Sequence, residues 1–176
     1  RNLSKEQLIE QAFRFHSQGD ISGAAKYYQQ LINQDCNDYR VFSNYGVILK
    51  GLGKLKDAES YQRKAIELNP NFAEAHSNLG NILNDLGKSQ EAEISLRKAI
   101  ELNPNFALAH SNLGNTLNDL GNLQEAELSY RKAIELNPDY AKAHCNLGTI
   151  LRGFGKLQEA KLSTDKAIEL NPNFAE

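Results

Sequence analysis

The sequence predicts an all-α solenoid, a row of two-helix hairpins wound into a right-handed superhelix. Three observations carry that expectation. All four prolines, Pro70, Pro104, Pro138 and Pro172, stand 34 residues apart, each inside one recurring phrase: ELNPNF, ELNPNF, ELNPDY and ELNPNF. Residues 73–106 and 107–140 are identical at 26 of 34 positions, a self-similarity that unrelated helical segments do not reach by chance. Within each unit the apolar residues fall at helical spacing in two runs, with a glycine-bearing break between them. One hairpin cannot bury its own apolar face, so such units stack on their neighbours with the first helices inside.

Residues 5–38 keep only the skeleton of the unit: Ala12 where later units have glycine, then Gly19, Ala24, and Cys36 at the proline position. Residues 39–72, 73–106, 107–140 and 141–174 follow in one register, and 175–176 would open a further unit. In the third unit Ala75, Leu79, Ile82, Leu83 and Leu86 form the core face of a first helix. Gly87-Lys88-Ser89 interrupts, and Ala92, Leu96, Ala99 and Ile100 form a second helix. Asn103-Pro104 ends it, because proline restricts its predecessor and offers no N–H. The residue after each proline, Asn71, Asn105, Asp139 or Asn173, is expected to cap the next first helix.

Gly80, Gly114 and Gly148 lie inside first helices, at a cost of about 1 kcal/mol each against alanine. Close helix approach should offset that cost, with Ala92, Ala126 and Ala160 as the small partners. The chain stops two residues into a sixth unit and so reads as a piece of a longer array. Its last helix is expected to expose Ala160, Ala167, Ile168 and Leu170 and to associate weakly end to end. A start at Arg1 leaves any targeting segment unread.

Composition narrows the function. The 176 residues suit one continuous array, and no stretch approaches the roughly 18 apolar residues of a membrane span. Twenty basic and 22 acidic side chains give a net charge of -2, so neither nucleic acid nor a membrane is expected as partner. Cys36 and Cys145 are too few for a disulfide framework and favour a reducing, cytoplasmic setting. No glycine-rich phosphate loop and no tuned acid and base are found, so neither a cofactor nor enzyme activity is expected of this region. His76, His110 and His144 recur once per unit. Successive first helices lie about 10 Å apart whereas zinc needs nitrogens within about 2.1 Å, so they share no metal.

The 34-residue period, the Asn-Leu-Gly at 78–80, 112–114 and 146–148, the small alanines and the closing proline resemble tetratricopeptide (TPR) repeats. AHSNLGN at 75–81 and 109–115, with LQEAELSYRKAIELNPDY at 123–140, resembles the repeats that precede the catalytic domain of O-linked N-acetylglucosamine transferases and their SPINDLY-like relatives. The family's usual tryptophan early in the first helix is replaced by Phe42, His76, His110 and His144.

The resemblance implies protein or peptide binding on the concave wall. By register that wall carries Glu74, Ser77, Asn78, Asn81, Asn84 and Asp85, then Leu108, Ser111, Asn112, Asn115, Asn118 and Asp119. Arg40, Ser43, Asn44, Val47 and Lys50 flank it on one side. Lys142, Cys145, Asn146, Thr149 and Arg152 flank it on the other. One asparagine recurs, Asn44, Asn78, Asn112 and Asn146, and an amide side chain matches the donor and acceptor of a peptide unit. In the transferase family the matching position forms an asparagine ladder on an extended peptide; the alternative is that these amides serve neighbouring backbone or the helix junction.

A chaperone-tail clamp fits less well, since Asn81, Asn112 and Lys142 match it but Ser77 and Asn146 stand where cations belong. The units carry charges of +3, -2, -3 and +2 from 39–72 to 141–174, which predicts a groove with basic ends and a neutral to acidic middle. A recognition arm of a larger protein is the expected role. An assembly scaffold for folded partners or further copies of the array is the alternative.

Overall fold

In the computed structural model, which describes residues 2–175, ten α-helices pair into five hairpins. They are α1 (Lys5–Ser17) with α2 (Ile21–Asn33), α3 (Tyr39–Gly51) with α4 (Leu55–Leu68), and α5 (Ala73–Asp85) with α6 (Ser89–Leu102). Then follow α7 (Ala107–Asp119) with α8 (Leu123–Leu136), and α9 (Ala141–Gly153) with α10 (Leu157–Leu170). A 3₁₀ turn, Pro172–Ala175, closes the described chain. Glu176, expected to open a further unit, lies outside the described residues.

Each hairpin turns on one glycine. Gly19, Gly53, Gly87, Gly121 and Gly155 have φ between 73° and 79°, the left-handed region that a Cβ disfavours. At Gly87 the turn is closed by its N–H on the Asn84 carbonyl (2.9 Å) and by the Lys88 N–H on the Leu83 carbonyl (2.8 Å). The repeated break in the sequence is therefore a helix C-cap that reverses the chain.

Hairpins stack through apolar side chains that cross the seams. Leu96 of α6 packs in one cluster with Leu113 and Leu117 of α7, Tyr130 of α8, and Leu147 and Leu151 of α9. Each such leucine, buried to within a few per cent, stabilises the fold by about 1.5–3 kcal/mol. First helices of neighbouring hairpins pack directly on one another, α3 on α5 and α5 on α7. Neighbouring second helices meet through long ion pairs instead: Arg63 with Glu91 (3.3 Å), Arg97 with Glu125 (2.9 Å) and Arg131 with Glu159 (3.0 Å). The wall of first helices is thus the tighter, concave one.

Three sequence expectations need correcting. The first concerns the caps. Helices α5, α7 and α9 have Phe72, Phe106 and Tyr140 at the N-cap with no side-chain cap bond. The residue after proline sits one place too early. Its N–H is bound instead by the asparagine before the proline, Asn69 Oδ1 to the Asn71 N–H (3.1 Å) and Asn103 Oδ1 to the Asn105 N–H (3.2 Å). Side-chain caps occur only nearer the start, at Ser4, Asp20 and Asp38.

The second concerns the helix glycines. A Cβ on Gly80 would lie 2.5 Å from Leu96 Cγ, and one on Gly114 would lie 2.6 Å from Tyr130 Cε1. The alanine contributes its carbonyl, 3.1 Å away at Ala92, while the side chain one turn later fills the contact. The third concerns the last helix: Ala160 and Ala167 are buried against α9, and the exposed aliphatic residues of α10 are Leu157 and Leu162.

Candidate functional site: the concave groove

Asn44, Asn78, Asn112 and Asn146 occupy equivalent places on α3, α5, α7 and α9. Three of them reach back across a seam. Asn44 Nδ2 donates to Tyr28 Oη (3.2 Å), Asn78 Nδ2 to Ser43 Oγ (3.4 Å) and Asn146 Nδ2 to Asn115 Oδ1 (2.9 Å). One donor on each is committed to the seam, which leaves a second N–H and the carbonyl oxygen. Asn112 is the most enclosed of the four, at 8% exposure.

Asn115 is tied twice, because Tyr130 Oη also donates to its Oδ1, at 2.7 Å. Burial raises the Tyr130 pKa, and the charge of Asp119 raises it further, so the phenol stays protonated and donating. Asn81, the equivalent residue in the preceding repeat, is half-buried. Asp85 and Asp119 form a second row along the groove edge. Lys50 Nζ reaches Asp85 Oδ2 at 2.8 Å, and Asn84 Nδ2 donates to Asp119 Oδ2 at 2.8 Å. Both acids join one hairpin to the next. Lys142 is exposed on α9.

Ser43, Ser77 and Ser111, expected on the groove wall, are buried instead. One residue of helix is a rotation of about 100°, which turns them toward the paired second helix. Ser43 Oγ donates to Gln62 Oε1, and Gln62 Nε2 returns a bond to the Ser43 carbonyl, both at 2.8 Å. Sequence reasoning missed Gln62 and Tyr130 as partners of this wall. The signal was present, since each stands 16 residues after a helix glycine, Gly46 or Gly114.

The recurring histidines have a structural partner. His76, His110 and His144 place Nε2 at 2.8, 2.9 and 2.8 Å from the carbonyl oxygens of Pro70, Pro104 and Pro138. An imidazole N–H there holds each inter-hairpin turn. Among the described residues no three His, Cys, Asp or Glu side chains gather as metal ligands, and no helix is long and apolar enough to cross a membrane. Cys36 and Cys145 are free.

Stacked hairpins turning on left-handed glycines, with a concave wall of polar first-helix side chains, define a TPR solenoid, a fold typical of interaction modules. A family profile described as "Cilia and flagella-associated protein 70 middle TPR-like domain" matches residues 8–115, "TPR repeat" matches 114–152 and "Tetratricopeptide repeat" matches 141–174. The first spans more than half of the chain, and the chain belongs to the TPR family that these profiles describe. None of the three describes an enzyme. No curated protein matches.

Among solved structures, the chain is similar to MamA, with TM-score 0.75 and 27% identity over 93% of this chain and 96% of that one. It resembles TTC0263, a thermophilic TPR protein of Thermus thermophilus, with TM-score 0.80 and 19% identity over 96% and 92%. It also resembles YrrB, described as "a TPR protein with an unusual peptide-binding site", with TM-score 0.71 and 24% identity over 96% and 87%.

Proposed function

We propose that residues 1–176 act as one non-catalytic array that binds an extended peptide or unstructured protein segment in the concave groove, as the recognition arm of a larger cytoplasmic protein. The observation that carries this reading is the row of Asn44, Asn78, Asn112 and Asn146, one amide per hairpin on a single wall. Hairpins advance about 10 Å each and an extended chain about 3.3 Å per residue, so one asparagine meets every third peptide unit. The remaining N–H and carbonyl of each amide pair with the ligand backbone, helped by Asn81, Asn115 and Lys142. The resemblance to transferase repeats supports the same ladder, and YrrB is a TPR protein with a peptide-binding site.

Neutral hydrogen bonds net about 0.5–1.5 kcal/mol each and must offset the ordering of the peptide, so affinity is micromolar or weaker. Replacing Asn78 and Asn112 together with alanine should weaken binding of an unstructured peptide about tenfold and leave cooperative melting intact. Unchanged affinity by calorimetry would assign these amides to the seams alone.

End-to-end self-association is a second reading, favoured by a charge exchange between the two ends of the array. Helix α10 carries Lys161 and Asp165, paired at 2.7 Å, where α4, α6 and α8 carry Glu59, Glu93, Glu127 and Arg63, Arg97, Arg131. At internal seams that glutamate meets a lysine of the following turn, Lys88 on Glu59 (3.1 Å) and Lys156 on Glu127 (3.3 Å). That arginine lines a cavity with Ile94 of the following hairpin. The first hairpin has Asp20 at the lysine position and Lys26 at the Ile94 position. A second copy stacked in register would set Asp20 against Lys161 and Lys26 against Asp165. Gln11 and Arg14, standing where Leu79 and Ile82 stand later, keep the contact polar and weak. Concentration-dependent light scattering of the 176-residue chain, lost in Lys161→Glu, is the expected result; a strict monomer at millimolar concentration overturns it.

A further inference from the structure

The two ends of the groove, both basic by sequence, differ once the side chains are in place. On the α3 side, Arg40 is held by Asp38, with Nη2 2.6 Å from Oδ2 and Nε 3.0 Å from Oδ1. Burial pushes the Asp38 carboxyl up, but the bonds from the Arg40 side chain and backbone outweigh it and hold the pKa below its ordinary value. Lys50 is consumed by Asp85 at 2.8 Å. On the α9 side, the equivalents Lys142 and Arg152 are both exposed, and neither forms an ion pair among the described residues. Gly153 stands where the acid of the preceding rungs would be, so the row that neutralises Lys50 stops before α9. Between the two ends, Glu74 on α5 is exposed and unpaired among the described residues.

The geometry points to an ordered charge requirement in the ligand: we propose that the groove selects an extended segment with two adjacent acidic residues seated over α9. This rests on the peptide-groove reading above. Lys142 and Arg152 are ten residues apart on one helix, about 15 Å along its axis at 1.5 Å per residue, so they stand on opposite rims. An extended chain passing between them sends successive side chains to opposite sides. Neighbouring acids at i and i+1 therefore reach one cation each, where a single acid reaches one only. Glu74 shares the rim of Lys142 two hairpins back, about 20 Å away or six residues of extended chain. A basic residue six positions from the acid facing Lys142 falls on the same side of the strand and meets Glu74. The bound direction of the peptide follows, because the reversed chain would bring its basic residue to Lys142.

The test uses two unstructured twelve-residue peptides that differ only in Glu-Glu against Gln-Gln near one end, titrated into the 176-residue chain by calorimetry. At low salt the Glu-Glu peptide should bind about three- to tenfold tighter, the effect of two exposed ion pairs, and the gap should close at 0.5 M salt. It should also close in Lys142→Gln/Arg152→Gln, whose exposed positions leave melting unchanged, and persist in Arg40→Gln. Equal binding of the two peptides by the unmodified chain overturns the charge selection and leaves the groove reading standing. Binding of neither overturns both. Displacement of the Glu-Glu peptide by a single-stranded oligonucleotide at equal concentration would mean that the cations serve a nucleic acid, and would also overturn the proposal.

Discussion

Asn115 Oδ1 accepts two hydrogen bonds, from Asn146 Nδ2 of the next hairpin at 2.9 Å and from Tyr130 Oη at 2.7 Å. One carboxamide thus joins α7, α8 and α9 at a point where Tyr130 is almost fully enclosed. Replacing Asn115 with alanine strands a buried phenol and should cost about 1–3 kcal/mol in urea unfolding. Asn81, which has no such pair of partners among the described residues, should lose much less on the same change. Equal losses would show that the triad adds nothing to the seam.

Gly114 and Gly51 should respond oppositely to alanine. A Cβ on Gly114 meets the Tyr130 ring at 2.6 and 2.7 Å, and overpacking of that kind costs about 1–3 kcal/mol. At Gly51 nothing lies within 4 Å, so the helix gains up to about 1 kcal/mol. Thermal melts of the two variants, moving in opposite directions, check the pair.

Thr116 occupies the place of Ile48, Ile82 and Ile150, fully buried, with no hydrogen-bond partner for its hydroxyl. An unsatisfied buried hydroxyl costs about 1–3 kcal/mol. Thr116→Ile should raise stability by about 1 kcal/mol or more, read as a higher urea midpoint with an unchanged slope. A lower midpoint would mean that the cavity there has closed around the smaller side chain.

His16 gives the first hairpin a pH response. Its Nδ1 lies 3.0 Å from Tyr28 Oη, which already accepts from Asn44, so the phenol proton goes to a neutral imidazole. Burial lowers the His16 pKa from 6.5. The unfolded chain then binds the extra proton first, so the stabilisation is complete above pH 6.5, falls as the pH drops below it, and levels off under the folded value. Amide exchange in α1 and α2 should accelerate between pH 7.5 and 5.5 relative to α7 and α8, and His16→Gln should remove the difference.

Much of this architecture is legible in the chain because it depends on local chemistry repeated every 34 residues. Glycine at 19, 53, 87, 121 and 155 specifies a left-handed turn, proline ends each second helix, and apolar spacing fixes which face is buried. Those effects act within one or two turns of helix, so a single sequence displays them. The groove is legible only as a register. Periodicity places Asn78 and Asn112 on one wall, yet it also puts Ser77 there, because a helical face read from spacing is blurred by about one residue.

What the tertiary structure alone decided is which polar groups are already spoken for. Lys50 and Lys142 look alike in the sequence, but Asp85 of the next hairpin neutralises one and Gly153 leaves the neighbourhood of the other without an acid. Likewise Asn115 and Asn81 share a register position, and only the tyrosine across the hairpin ties the first. Hydrogen bonds and ion pairs form at contact distance between residues about 30 positions apart. The stacking of one hairpin on the next, and no local preference, brings them together.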